Sequence, residues 1–412
     1  MTQPALEAIR PSVNTMTMIK TPTADDLERM HFRSVLERLS PNQGAQMLRY
    51  GWAREGVISL AQGEGSAKTP DFISNAAYKA LQDGKTFYAP ALGVPELRQE
   101  ISNYYQRLMG LNLPTSRIFA TSSGTTAMHL ALTSILEEGD EVVAVTPIWK
   151  NLLGAVELTQ SKTIQVPLEA GENGWTLDLD KLFDACTHKT KALLIVSPSN
   201  PTGWIMPEQD MKKVLEFARQ SGIWIIADEV YHRLTFNKPY APSFLEIAEP
   251  EDRLFSVNSF SKSYAMTGWR LGWLVGPAAS ESVIRDIALY DNMGPPTYAQ
   301  YGAVEALRHG EEWIQDQLSL WKKNHDKLRA YVDQNDRITW PKSDATFYAF
   351  FKVDGEPDCL SLCKKLIDEA ALSLAPGCAF GKCCAGWVRM CFAVTEEKTE
   401  EAIRRLDQVI GK

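Results

Sequence analysis

The sequence predicts an α/β protein in which helices cover both faces of a mainly parallel sheet, with a second, smaller α+β domain. One observation is that short apolar segments alternate with helical segments from about residue 95 to about residue 305. After about residue 310 the pattern changes to a long amphipathic helix and alternating strands. The length of 412 residues also exceeds what one hydrophobic core usually supports.

Three helices are predicted in the first part of the chain. Residues 95–108 have helical spacing and begin with Pro95, which is favoured in the first turn of a helix. A second helix is predicted over residues 125–136, where apolar side chains recur at helical spacing. Residues 207–220 form the third, and these helices separate the apolar segments that we interpret as strands.

Four of these strands are EVVAVTP (141–147), KTIQVPL (162–168), KALLIVSP (191–198) and IWIIADEV (223–230). Ligands of parallel sheets bind beyond the carboxyl ends of the strands. Polar residues follow three apolar segments at those ends, at 197–200, at Asp228 and at 259–262. The sequence therefore predicts a functional site along this edge.

The predicted domain organisation has four parts. Residues 1–40 are an N-terminal extension, 41–75 belong to the smaller domain, 76–305 form the large domain, and 306–412 complete the smaller domain. In the last part, a helix over 311–334 precedes strands at 346–353 and 387–394.

Composition excludes several classes of partner. The net charge is −8 and no long basic segment is present, which argues against nucleic acid or an anionic membrane. No apolar segment reaches the roughly 20 residues that a membrane helix needs, and residues 1–22 lack the apolar core of a signal peptide. We expect a cytoplasmic protein.

Six of the seven cysteines fall between Cys359 and Cys391. The cluster at 378, 383 and 384 suggests a metal site, but no paired CxxC motif is present. We therefore expect reduced thiols that serve as small hydrophobic residues, and no metal.

The segment SVNSFSKSYAMTGWRLGW (256–273) carries the clearest chemistry. Lys262 follows an apolar strand, and partial burial beside the positive charge of Arg270 would make its amine a nucleophile. A Schiff base with an aldehyde cofactor would explain the lysine, and the serines and arginine would hold a phosphate. The alternative is an ordinary loop lysine.

Three further segments strengthen this interpretation. TSSGTTAMHLAL (121–132) places hydroxyl groups and a glycine where a helix begins, which suits a phosphate, although a simple serine cap is the alternative. SPSNPTG (197–203) follows a core strand, and its alternative is an Asn-Pro turn. In ADEVY (227–231), Asp228 could pair with a protonated ring nitrogen and Tyr231 with a ring oxygen, or Asp228 could be a capped, buried carboxylate.

Together these segments resemble the class I/II aminotransferase family of pyridoxal-phosphate (PLP) enzymes, which have fold type I. The resemblance extends from about residue 55 to the C-terminus. It implies a large domain with a seven-stranded type of sheet, and PLP as the cofactor. It also implies that Lys262 forms the Schiff base and moves the substrate proton, that Asp228 keeps the pyridine ring protonated, and that Tyr231 bonds the ring oxygen. The other cofactor-binding residues that it implies are Ser123, Gly124, Thr125, Trp149, Asn200, Ser259, Arg270 and Tyr88.

The resemblance also implies a homodimer with shared active sites, because Tyr88 matches the tyrosine that reaches the phosphate of the neighbouring subunit. Arg389, inside an apolar strand, matches the arginine that binds the substrate α-carboxylate. The substrate-binding residues implied are Arg389, Gly63, Asn200, Trp149 and Glu64.

Two departures from the family pattern concern the substrate. GEGSA (63–67) stands where family members commonly have GEPDF, and LYDNMGPP (289–296) has no arginine where dicarboxylate-specific relatives carry one. Aspartate and glutamate are therefore not the expected substrates. Glu64 and Asp291 could instead meet a cationic side chain, or they could be solvated surface acids.

Three functions are compatible with the pattern. The first is an aminotransferase that uses an amino acid and a 2-oxo acid. The second is a related enzyme that carries out elimination, cyclisation or oxidation of an arginine-like amino acid in a natural-product pathway. The third is a non-catalytic regulatory module, which we discount because only about 40 residues precede the family core, too few for a DNA-binding domain.

Overall fold

The computed structural model describes residues 33–39 and 41–411. Residues 33–39 contain one short helix, Ser34–Arg38. The rest of the predicted N-terminal extension lies outside the described residues. Residues 41–411 belong to one compact unit, and the predicted domain boundaries near residues 75 and 305 stay predictions.

The strands are numbered in chain order along the described residues. They are β1 Ile58–Ser59, β2 Ile118–Thr121, β3 Glu141–Thr146, β4 Lys162–Pro167, β5 Glu169–Gly171, β6 Gly174–Thr176, β7 Thr190–Val196, β8 Trp224–Asp228, β9 Leu254–Ser259, β10 Gly272–Val275, β11 Ile338–Thr339, β12 Tyr348–Val353, β13 Leu372–Ser373, β14 Ala375–Pro376 and β15 Trp387–Cys391.

The central sheet has seven strands in the order β2-β10-β9-β8-β7-β3-β4. Strand β10 runs antiparallel to both of its neighbours, and the other strands run parallel to one another. Every residue of β2, β3, β9 and β10 is buried, which is why these segments are mainly apolar and do not alternate between apolar and polar residues. The predicted mainly parallel sheet is confirmed.

Helices connect these strands and cover them. From residue 41 onward they are Gln43–Trp52, Asp71–Gln82, Pro95–Met109, Gly124–Ile135, Lys150–Leu158, Leu179–Asp184, Glu208–Ser221, Phe260–Ser263, Glu281–Asp291, Thr297–His309, Glu311–Val332, Cys359–Ala370 and Glu396–Ile410. The three helices predicted near residues 95, 125 and 207 are present. The first of them begins at Pro95 and ends at Met109, and the next residue, Gly110, adopts the left-handed conformation that glycine accommodates without strain.

A second sheet lies in the C-terminal part of the chain, in the order β11-β12-β15-β14. The pair β12 and β15 is antiparallel, with Phe350 opposite Arg389. Strand β1, from the N-terminal part, runs parallel to β13. The strands expected at 346–353 and 387–394 are present as β12 and β15, but both are buried along most of their length rather than at alternate residues.

The carboxyl ends of β7, β8 and β9 meet at one edge of the central sheet. Val196 lies opposite Asp228, and Asp228 lies opposite Val257. The polar segments 197–200 and 259–262 therefore begin beside Asp228, at the edge where ligands bind in parallel sheets.

Among the helices of the described residues, none has the length and apolar character needed to cross a membrane.

Candidate active site

Lys262 lies in the short helix Phe260–Ser263, which begins directly after β9 and is capped by the Ser259 hydroxyl. Its Nζ donates a hydrogen bond to the Gly63 carbonyl oxygen at 2.6 Å. Burial lowers the pKa of the Lys262 amine to about 8, and the charge of Arg389 acts in the same direction. A larger fraction of this amine is therefore neutral at neutral pH than for an ordinary lysine, as attack on a carbonyl requires.

Asp228 is the last residue of β8 and is buried. One carboxyl oxygen accepts the backbone N–H of Val230 at 3.1 Å. Burial raises the pKa of this carboxyl to about 7. A cationic ring nitrogen placed beside it would stabilise the ionised carboxylate and lower that pKa again.

Asn200 connects Arg389 to Tyr231. The Arg389 Nη1 donates to Asn200 Oδ1 at 2.8 Å, and Asn200 Nδ2 donates to the Tyr231 hydroxyl at 3.4 Å. Arg389 Nη2 donates to the carbonyl of Ala61 at 2.5 Å. The guanidinium is buried, and its Nε has no hydrogen-bond partner within the described residues. A buried cation with an unpaired donor is suited to an anionic ligand.

The other end of the site is formed where the helix Gly124–Ile135 begins. A Cβ added at Gly124 would lie 3.2 Å from the Cβ of Ser259, so the helix N-terminus and β9 approach each other closely. Arg270 is exposed and adopts a left-handed backbone with φ of 55°, which is uncommon for a residue with a side chain. Exposed helix N–H groups together with a guanidinium suit a phosphate.

Two of the predicted phosphate-binding hydroxyls already have partners inside the protein. The Ser123 hydroxyl accepts the N–H of Thr126 at 3.0 Å, so this side chain caps the helix. The Ser259 hydroxyl accepts the N–H of Ser261 at 3.1 Å. Ser259 nevertheless lines the cleft, whereas Ser123 is not among its lining residues.

A single cleft of about 600 Å³ brings most of the predicted residues together. The predicted residues that line it are Gly63, Glu64, Gly124, Thr125, Trp149, Asn200, Asp228, Tyr231, Ser259, Lys262, Arg270 and Arg389. Glu64 accepts hydrogen bonds from Thr267 and Gln62 at this surface. Side chains from distant parts of the sequence therefore surround one space.

Tyr88 and Asp291 do not reach this cleft within the chain. Tyr88 is 86% exposed, and a Tyr88 contact to a neighbouring subunit stays a prediction. Asp291 lies 4.0 Å from the ring nitrogen of His129. The structure thus does not bring Asp291 together with Glu64.

Tyr348 is a cleft residue that the sequence interpretation missed. Its hydroxyl lies 2.9 Å from that of Tyr231, and its ring centre lies 4.4 Å from the Arg389 guanidinium. The signal was present in the alternation of TFYAFFKV, because Tyr348 and Phe350 lie on the same face of a strand. Only the register, which places Phe350 opposite Arg389, shows that this face meets the site.

The cysteines are all free in the described structure. Cys383 and Cys384 have their sulfurs 3.5 Å apart, and the Cys359 sulfur accepts the N–H of Cys378 at 3.5 Å. Among the residues for which coordinates are described, no cluster of three or more histidine, cysteine or acidic side chains could hold a metal ion.

Comparison with known proteins decides the family. The sequence profile of aminotransferase class I and II matches residues 55–406. This chain belongs to the class I and II aminotransferases.

A probable aspartate/prephenate aminotransferase of Aquifex aeolicus is 33% identical to this aminotransferase over 86% of the chain and 91% of the relative. The aromatic-amino-acid aminotransferase 2 of Thermococcus litoralis is 31% identical over 91% of the chain and 97% of the relative. The solved structure of an aspartate aminotransferase from Thermotoga maritima superimposes with a TM-score of 0.87 at 27% identity, and covers 92% of this chain and 100% of the other. The aminotransferase therefore has fold type I and depends on PLP.

The cleft of this aminotransferase fits PLP on its own chemistry. It offers the partly buried Lys262 amine for an aldehyde and the buried Asp228 carboxyl for a ring nitrogen. Gly124 and Thr125, where the helix begins, line the cleft together with Arg270 and suit a phosphate, and Arg389 has an Nε without a partner within the described residues. These groups match the three parts of the cofactor and a substrate carboxylate.

Proposed function

We propose that this aminotransferase acts on an amino acid with one carboxylate, which Arg389 binds. The observation that carries the proposal is the distribution of guanidinium groups. Among the described residues that line the cleft, Arg270 and Arg389 are the arginines, and Arg270 lies beside the helix N-terminus that suits the phosphate. The Phe380 ring faces the Arg389 guanidinium at 4.8 Å, and Leu48 is a further apolar residue that lines the cleft. A second carboxylate would therefore lack an arginine partner there.

The residues of the site have distinct proposed roles. Bound PLP withdraws electrons from the substrate α-carbon. The Lys262 amine accepts the proton from that carbon and returns it, since its lowered pKa makes it a base near neutral pH. Asp228 would keep the ring nitrogen protonated. Tyr231 and Asn200 would bond the ring oxygen, Trp149 would hold the ring, and the Gly63 backbone would contact the substrate.

A dicarboxylic substrate is the second candidate, and one observation favours it. Lys150 lines the cleft next to Trp149, and its Nζ donates to the carbonyl of Pro41 at 2.8 Å. This ammonium could turn to a distal carboxylate. Several relatives are named aspartate aminotransferases, including that of Bacillus subtilis at 30% identity.

A substrate panel separates the two candidates. The purified enzyme is incubated with aromatic, aliphatic, arginine-like and dicarboxylic amino acids, each with and without a 2-oxo acid. Faster turnover of a monocarboxylic amino acid supports the proposal, and a tenfold preference for aspartate or glutamate contradicts it. If the substrate is instead dicarboxylic, Lys150→Met should lose the preference for aspartate or glutamate and keep its turnover of monocarboxylic amino acids.

Arg389 is tested in the same assay. Arg389→Ala removes a bidentate, charge-assisted carboxylate contact, so kcat/KM should fall by a factor on the order of 100 to 1000 for every amino acid. Product analysis decides the reaction. A 2-oxo acid with equal amino transfer indicates transamination, whereas a cyclised or dehydrated product without an acceptor indicates the specialised reaction on an arginine-like substrate.

The proposal also includes a cytoplasmic homodimer. The dimer is supported by the large exposure of Tyr88 and of its neighbour Phe87, which is 81% exposed. The Phe87 carbonyl accepts a hydrogen bond from the Thr297 hydroxyl at 2.8 Å, so this loop is held against the helix Thr297–His309. Fixed aromatic groups at a surface are typical of a protein interface.

A further inference from the structure

Tyr348 lies at the junction of the cofactor and substrate parts of the cleft. It is the first residue of β12 and is 1% exposed. Its hydroxyl contacts the Tyr231 hydroxyl, and its ring faces the guanidinium of Arg389. A Cβ added at Gly63 would overlap the Tyr348 hydroxyl, so the segment that accepts the Lys262 hydrogen bond packs directly on this side chain.

The hydrogen bonds around Tyr231 constrain where its proton points. The Tyr231 oxygen already accepts a hydrogen bond from Asn200 Nδ2. Of the two tyrosine hydroxyls, which lie 2.9 Å apart, only one donates to the other. If Tyr348 donates, the proton of Tyr231 is free to bond the ring oxygen of the cofactor. If Tyr231 donates instead, that hydrogen bond to the cofactor is lost.

Within the described residues, the Tyr348 hydroxyl bonds only the hydroxyl of Tyr231. Within the described residues, the Tyr231 oxygen is thus the one acceptor for the Tyr348 hydroxyl proton, and Tyr348 is buried. Its ring meanwhile faces the guanidinium at 4.4 Å, within the range of a cation–π contact, and the Phe380 ring faces the same guanidinium at 4.8 Å.

We propose that Tyr348 is a positioning residue with two separable actions. Its hydroxyl donates to Tyr231, which leaves the Tyr231 proton for the ring oxygen of the cofactor. The donated bond also polarises the Tyr231 hydroxyl and so strengthens its hydrogen bond to that oxygen. The Tyr348 ring holds the Arg389 guanidinium in place for the substrate carboxylate. This inference rests on the proposed roles of Tyr231 and Arg389.

Two variants separate these actions. Tyr348→Phe removes the hydroxyl and keeps the ring, whereas Tyr348→Leu removes both. A hydrogen bond to the ring oxygen stabilises its negative charge, so weakening that bond should raise the pH midpoint of the visible absorbance of bound PLP. We expect a rise of about half a pH unit in both variants. The KM for the amino acid should stay within about twofold in Tyr348→Phe and rise about tenfold in Tyr348→Leu.

Tyr331→Phe is the matched control, because its hydroxyl bonds Asp407 at the surface and should change neither quantity. Tyr231→Phe should raise the midpoint more than Tyr348→Phe, and adding Tyr348→Phe to it should have no further effect. If Tyr231→Phe leaves the midpoint unchanged, the proposed role of Tyr231 is wrong. If Tyr231→Phe raises it and Tyr348→Phe does not, the inference about the Tyr348 hydroxyl is overturned.

An unchanged KM for the amino acid in Tyr348→Leu would contradict the proposed role of the Tyr348 ring in holding Arg389. Tyr348→Met replaces that variant if the leucine protein does not fold.

Discussion

Burial shifts the two central ionisable groups towards neutrality. The pKa of Lys262 falls to about 8, and the pKa of Asp228 rises to about 7, because burial disfavours the charged form of each. Both groups therefore change protonation close to neutral pH. Such values suit proton transfer, and an added cation beside Asp228 would restore its charge.

The first prediction at this scale concerns attachment of PLP to the cofactor-free protein. Only the neutral amine attacks an aldehyde, and a lysine with a pKa near 8 gains neutral fraction as the pH rises. The attachment rate, followed by visible absorbance, should increase about eightfold from pH 6.5 to 7.5 and level off above about pH 8.5.

Lys262→Ala should abolish covalent attachment, and borohydride should fix PLP on the one peptide that contains Lys262. A rate that still rises steeply at pH 10, as for an ordinary lysine, would contradict the lowered pKa. Recovery of PLP on another peptide would show that the lysine is wrongly assigned.

The second prediction concerns thiol reactivity. Cys383 is exposed, and a hydrogen bond from the Cys384 thiol lowers its pKa to about 6. Burial raises the pKa of Cys186 to about 11. Because the thiolate is the nucleophile, iodoacetamide at pH 7 should label Cys383 first, as measured by peptide mass spectrometry. Cys383→Ser should remove the fast phase, and equal labelling of Cys186 would disprove this order.

At the scale of elements, the segment after β1 links the substrate end of the cleft to the cofactor end. The carbonyl of Ala61 accepts from Arg389, and that of Gly63 accepts from Lys262. The Leu60 carbonyl accepts the N–H of Cys391, so backbone pairing to β15 holds this segment. A segment without regular secondary structure is thus fixed by its hydrogen bonds.

The third prediction follows from that arrangement. Gly63→Ala places a Cβ where the Tyr348 hydroxyl lies, so the segment must shift. We expect a loss of about 1 to 3 kcal/mol in the free energy of unfolding, together with slower attachment of PLP. Chemical denaturation and visible absorbance measure the two effects.

Gly65→Ala is the control for this change. Its Cβ would meet its nearest neighbour, the Ala393 carbonyl, at 3.6 Å, which is ordinary van der Waals contact. Equal losses in the two variants would show that glycine flexibility, and not the Tyr348 contact, determines the result.

At the scale of the whole molecule, the cleft is built by both sheets. The central sheet contributes Asp228 and Ser259 at its edge, and the second sheet contributes Tyr348 and Arg389. Tyr88 contributes nothing to this cleft within its own chain. The proposed dimer would supply that hydroxyl from a second copy.

The fourth prediction tests the dimer. Tyr88→Phe should weaken PLP retention by about 1 kcal/mol, roughly the contribution of one hydrogen bond. Equilibrium dialysis measures retention, and sedimentation should show a dimer in both proteins. Tyr240→Phe is the control, since the Tyr240 hydroxyl bonds Glu246. A fully active, PLP-saturated monomer at micromolar concentration would contradict the proposed assembly.

The sequence by itself determined the parts of this protein that depend on neighbouring residues. Apolar runs predicted the strands, and the polar residues after them marked the edge where Asn200, Asp228 and Lys262 meet. These features follow from side-chain periodicity along a few residues, which is visible without knowledge of the fold.

Only the tertiary structure decided which distant groups touch. It showed that Ser123 caps its helix, that Asp291 lies away from Glu64, and that Tyr348 joins Tyr231 to Arg389. Tyr348 and Tyr231 are 117 residues apart in sequence. Their contact depends on strand register and on how the two sheets pack, and side-chain periodicity within one strand reports neither.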